Sequence, residues 1–64
     1  MNLDVRKYLD ESQQSKKGLT FYVNGNTVNG YVIRIIDDHT VEVKNQMSTK
    51  VLVFLDRLDA LAMS

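Results

Sequence analysis

Cysteine and proline are absent from the 64 residues, and histidine occurs once, as His39. Without cysteine no disulfide can brace the fold, and a single histidine cannot assemble a structural metal centre. There is no excess charge of either sign, because eight basic and eight acidic side chains cancel. A strong non-specific grip on nucleic acid normally shows as a basic excess, so any such binding must come from local placement. No apolar run approaches the roughly 20 residues of a membrane span. The opening Met1-Asn2-Leu3-Asp4-Val5-Arg6 lacks the basic and then apolar layout of a secretory signal. These absences lead us to expect a soluble, cytoplasmic chain with no membrane partner. They also exclude most chemistry: there is no thiol nucleophile, no glycine-rich phosphate loop and no catalytic cluster, and the adjacent Asp37 and Asp38 diverge in a turn. An enzyme is not expected, and no cofactor or metal is implied.

What is present must work within a small compass. A chain of this length forms one domain, residues 1–64, and hides only about 60% of the surface its unfolded form exposes. With disulfides and metals excluded, oligomerisation is the remaining way to enlarge such a core.

From Leu3 to about Gln13 the apolar residues Val5, Tyr8 and Leu9 recur at helical spacing and predict one helix. Asn2 is placed to cap it, Asp4 suits the first turn, Lys7 and Glu11 are spaced to pair, and Lys16, Lys17 and Gly18 supply a stop. After Gly18 β-branched and aromatic residues dominate and the pattern becomes that of strands. Leu19 to Val23 is one, Asn24-Gly25 is a hairpin turn whose residues tolerate positive φ, and Thr27 to Ile36 is a second, longer strand. Asp37-Asp38-His39 makes the next turn. Thr40 to Lys44 alternates, Asn45 to Thr49 is a loop, Val51 to Leu55 is apolar on both faces, and Leu58 to Met63 forms a last short strand. The second strand is also two-faced, with Val28, Val32 and Ile36 on one side and Tyr31, Ile33 and Ile35 on the other. Either a strongly bent strand shared across a small barrel or a neighbouring subunit must cover both sides.

The order of one helix and five short strands resembles the Sm-like family. The segment Phe21-Tyr22-Val23-Asn24-Gly25-Asn26-Thr27-Val28-Asn29-Gly30 is similar to its bacterial Hfq branch, with an aromatic-apolar strand, Asn-Gly, an apolar residue and a second glycine at matching spacing. Asp37 followed by Val41, Val43, Lys44 and Asn45 resembles the end of the family's first motif. Between Gly30 and Asp37 the chain carries one residue more than that pattern, which we place as a β-bulge near Ile35 or Ile36. The second motif departs further: where Hfq carries Lys-His after its fourth strand, this chain reads Phe54-Leu55-Asp56-Arg57-Leu58.

The resemblance implies a mainly β fold with one N-terminal helix, a strongly bent five-stranded antiparallel small barrel. It implies a homo-oligomeric ring of roughly five to seven copies that binds single-stranded RNA. It assigns Asp38 and His39, with Arg57, to a base pocket at the pore, and Phe21, Gly25 and Asn29 to a purine-binding opposite face. By charge placement, Lys16 and Lys17, with Arg6 and Lys7 on the helix, could form a basic rim repeated around a ring. Each has an ordinary reading beside it: turn residues, a core phenylalanine, a hairpin glycine, a solvated helix end. A structural or protein-interaction ring without RNA is the alternative, and a monomeric SH3-like or OB-like adaptor barrel is a third.

Overall fold

The computed structural model describes residues 1–63. A helix, α1, covers Leu3–Ser15. Five strands follow: β1 Leu19–Val23, β2 Asn26–Asp37, β3 Thr40–Lys44, β4 Val51–Phe54 and β5 Leu58–Met63, with a 3-10 turn at Leu55–Arg57 before the last.

The helix begins where its capping chemistry places it. Asn2 Oδ1 accepts the backbone N–H groups of Asp4 at 2.7 Å and Val5 at 3.4 Å, two donors that the helix itself leaves unpaired. It runs two residues beyond the expected Gln13 and stops at Lys16, which is itself left-handed at φ 57°, so the glycine at 18 is not the stop. The i to i+4 ion pair seen on the helix joins Arg6 to Asp10 at 3.1 Å, in place of the expected Lys7 and Glu11. The buried stripe is Leu9 and Ser12, flanked by half-buried Val5, while Tyr8 stays 39% exposed.

All strand pairs are antiparallel, in the order β4-β3-β2-β1-β5. Asn24 and Gly25 form the two-residue β1–β2 hairpin, both at positive φ, 52° and 83°. The twelve-residue β2 serves two partners: Asn26 to Gly30 pair with β1, and Tyr31 to Asp37 pair with β3. A straight strand of that length would run roughly 40 Å. The molecule measures 25 × 25 × 22 Å, so β2 is strongly curved. Gly30 sits at the handover, where an added Cβ would lie 2.5 Å from Val43 Cγ1 and 2.6 Å from the Lys44 carbonyl oxygen. No side chain fits there.

Two irregularities interrupt the β2–β3 ladder, between Val32 and Arg34 and between Ile35 and Asp37. The second falls where the additional residue was expected and leaves Asp37 opposite Thr40 at the mouth of the turn; the first was not foreseen. Each extra residue rephases the strand. Val32 is buried and Ile35 packs against the core, whereas Arg34 pairs outward with Glu42 and Ile36 is 42% exposed. The sequence-based grouping of Val32 with Ile36 is therefore corrected.

The core is one cluster drawn from five elements: Leu9, Leu19, Phe21, Val32, Val41, Val43 and Val53. The sheet does not close into a barrel. β4 pairs only with β3, and β5 only with β1, so the two stand at opposite ends of the strand order with their outer edges open. Nor are both faces of β4 covered: Val53 is buried, but Leu52 and Phe54 remain 46% and 57% exposed. No helix among the described residues is long and apolar enough to cross a membrane.

Candidate functional site

The charges that cancel in total are segregated along the chain. All eight acids lie outside the stretches Ser12 to Ile36 and Val43 to Leu55, and five of the eight basic residues lie within them: Lys16, Lys17, Arg34, Lys44 and Lys50. Folding gives these stretches different addresses.

At the β2–β3 turn, Asp37 Oδ1 accepts the His39 backbone N–H at 2.8 Å, an Asx turn that closes the loop. This bond is the largest cause holding the Asp37 carboxyl below its ordinary pKa; desolvation opposes it, and the Thr40 hydroxyl and backbone add to the lowering. The His39 carbonyl accepts Leu55 N–H at 2.7 Å, tying the turn to the 3-10 segment. His39 Nδ1 lies 2.9 Å from Asp56 Oδ1, a hydrogen bond that places the proton on Nδ1 because a carboxylate only accepts. Both side chains are solvated, at 68% and 72% exposure. Asp38 and Arg57 are exposed nearby in sequence. The structure thus brings His39 to the Leu55–Arg57 turn, and Asp56 takes up the imidazole edge. Three carboxylates against one guanidinium make this end a poor place for phosphate.

The three residues of the proposed opposite face separate. Phe21 is wholly buried and serves the core, so it offers no stacking surface; that assignment is corrected. Gly25 is exposed in the hairpin with open space around it. Asn29 is exposed, its Oδ1 accepting the Thr20 hydroxyl at 2.7 Å and its carbonyl accepting Asn45 Nδ2 at 2.9 Å. Lys16 and Lys17 are exposed at the helix end, while Arg6 is engaged with Asp10.

A solvent-open cleft of about 980 Å³ lies between that helix end, the Gly30 bend of β2 and the β3–β4 loop, with Lys16, Asn29, Tyr31, Lys44 and Met47 among its walls. A smaller recess of about 400 Å³ adjoins it and shares Lys16, Tyr31 and Lys44. Tyr31 and Lys44 are direct cross-strand partners, so their side chains leave the ladder on one face. The loop wall is built by Asn45, whose Oδ1 accepts Met47 N–H at 2.9 Å and Ser48 N–H at 2.8 Å while its Nδ2 anchors to β2. No acid lines either recess.

Ser12 was not singled out by sequence. It is fully buried, donates to the Lys17 carbonyl at 2.6 Å and accepts Val32 N–H at 2.9 Å. Gln13 Nε2 donates to the Ile33 carbonyl at 3.1 Å, so the helix end grips the first bulge of β2 at two points. Tyr31 and Lys44 were read only as strand residues, because their pairing depends on the unforeseen bulge at Ile33 as well as on the expected one. Among the described residues no group of three or more His, Cys, Asp or Glu side chains could hold a metal. Neither a family model nor a curated protein matches this sequence.

Proposed function

We propose that the chain is the subunit of an Sm-like ring that binds single-stranded RNA. The observation that carries the reading is the pair of open edges. A sheet ending in β4 on one side and β5 on the other can add copies head to tail, and such a heterologous contact closes into a ring when the rotation between copies is right. Leu52 and Phe54, exposed on β4, are the apolar surface that a neighbour's β5 would cover. The curved β2, turning at Gly30 between two partner strands, agrees with the small bent barrel that the resemblance implies, with closure completed between copies. For RNA, the support is a cleft lined by Lys16 and Lys44 with no acid among its walls, which a ring would repeat once per subunit; Arg34 and Lys50 are engaged by Glu42.

Size-exclusion chromatography with light scattering tests the assembly: about five to seven chain masses are expected, and a stable monomer at working concentration ends the reading. A second reading, a protein-interaction ring, is favoured by the carboxylates of Asp37, Asp38 and Asp56 around His39. It predicts the same mass and no change in anisotropy of labelled oligo-uridine or oligo-adenosine at low salt.

A further inference from the structure

We infer that the RNA strand is held in the cleft at the β2 bend, with a base stacked on Tyr31 and its flanking phosphates on Lys44 and Lys16, and not at the His39 turn. This inference rests on the RNA-ring reading and deepens it.

The argument starts from what a single strand offers a protein: a polyanionic backbone and unpaired π faces. A site for it needs an aromatic surface beside cations, with no carboxylate near enough to repel phosphate. Of the two regions described, only the cleft combines these. Tyr31 is half-buried, which fixes its ring and leaves part of it accessible, and Lys44 stands directly across the ladder from it. Lys16, held in place by its left-handed backbone at the end of α1, reaches the same recess from the other side. The bland alternative is that Lys16 and Lys44 are only solvated surface charges. Against it stand the shared lining of two adjoining recesses, the aromatic between the cations and the complete exclusion of acids, in a chain where a quarter of the residues are charged.

The exposed amides near the cleft explain how bases could be read there. Asn29 Oδ1 is committed to Thr20, and Asn45 is committed to its own loop, so base-edge contacts would fall to the Asn29 amide nitrogen and to exposed Gln46. Met47, 94% exposed on the loop, supplies an adaptable apolar wall.

The test is fluorescence anisotropy of labelled oligo-adenosine and oligo-uridine at two salt concentrations. Tyr31→Leu should weaken binding between about 5-fold and about 150-fold, the equivalent of one stacked base, and Tyr31→Phe should bind like the parent. Lys16→Gln with Lys44→Gln should weaken binding at low salt and reduce the slope of log affinity against log salt by roughly 1.4 per strand segment bound. His39→Ala should be unchanged. Photocrosslinking with mass spectrometry should place the adduct on Tyr31. If the parent binds RNA but the cleft variants match it, or the adduct falls on His39, the site is wrong while the RNA reading survives. If the parent binds no RNA at low salt, both fall together.

Discussion

Ser12 shows how one polar side chain can set the relation between a helix and a sheet. The Val32 N–H is buried and is taken up by a side chain, and a buried donor without a partner costs the full price of its desolvation. Ser12 Oγ accepts it and donates its own hydrogen bond to the Lys17 carbonyl, so the helix end, the linker and β2 are joined through one oxygen. Ser12→Ala should therefore lower stability by about 1 to 3 kcal/mol, read as a shift in urea midpoint with unchanged m-value. Asp37 offers a different residue-scale test. Its pKa is lowered on folding from 3.8, so the stability it contributes is present above the ordinary carboxylate range and is lost as pH falls through the lowered folded value. An NMR titration should find its midpoint below 3.8. In Asp37→Asn, which keeps the turn's acceptor, the acid limb of the stability curve should flatten; an identical limb would show that the turn bond is not formed in solution.

At the scale of elements, β2 decides the architecture. Its N-terminal half belongs to β1 and its C-terminal half to β3, and Gly30 permits the close approach that joins them. The contact is with backbone as well as with Val43, so a methyl group cannot be accommodated by turning a side chain aside. Gly30→Ala should cost about 3 kcal/mol or more, a large share of what a domain this small possesses, and thermal unfolding of the purified variant will show it. Gly25→Ala should act through the turn alone, because its added methyl meets nothing and only the positive φ is strained. Equal effects of the two variants would mean that crowding at the bend is not what demands glycine.

The whole molecule is a small core with two unfinished edges. Seven apolar side chains are buried in one cluster, yet Leu52 and Phe54 stand exposed on the outermost strand. If a neighbour's β5 covers them, folding and assembly are linked, and the thermal midpoint should rise with protein concentration. Leu52→Lys places a charge on a solvated position of that edge, so the subunit should keep its circular dichroism while losing mass by light scattering and losing the concentration dependence. A midpoint independent of concentration in the parent would leave the edges as ordinary solvated strands.

The sequence by itself determined what short-range chemistry controls. Asn2 starts the helix, Asn24-Gly25 closes the hairpin, and Leu19–Val23 and Thr40–Lys44 are strands with the bounds their patterns predict. Each depends on neighbours a few residues away, through backbone dihedral preference or side-chain alternation. Tertiary structure decided the rest. The bulge at Ile33 has no local signature, and it sets which residues of β2 face inward for the remainder of the strand. Phe21 became core as part of a cluster with Leu9, Val32, Val41 and Val53 from other elements, and His39 met Asp56 across 17 residues of chain. The grouping of Lys16, Tyr31 and Lys44 likewise comes from a helix end, a bent strand and its partner, three elements whose meeting is fixed by long-range packing. Periodicity reports which face of an element is apolar, but only packing determines what that face meets.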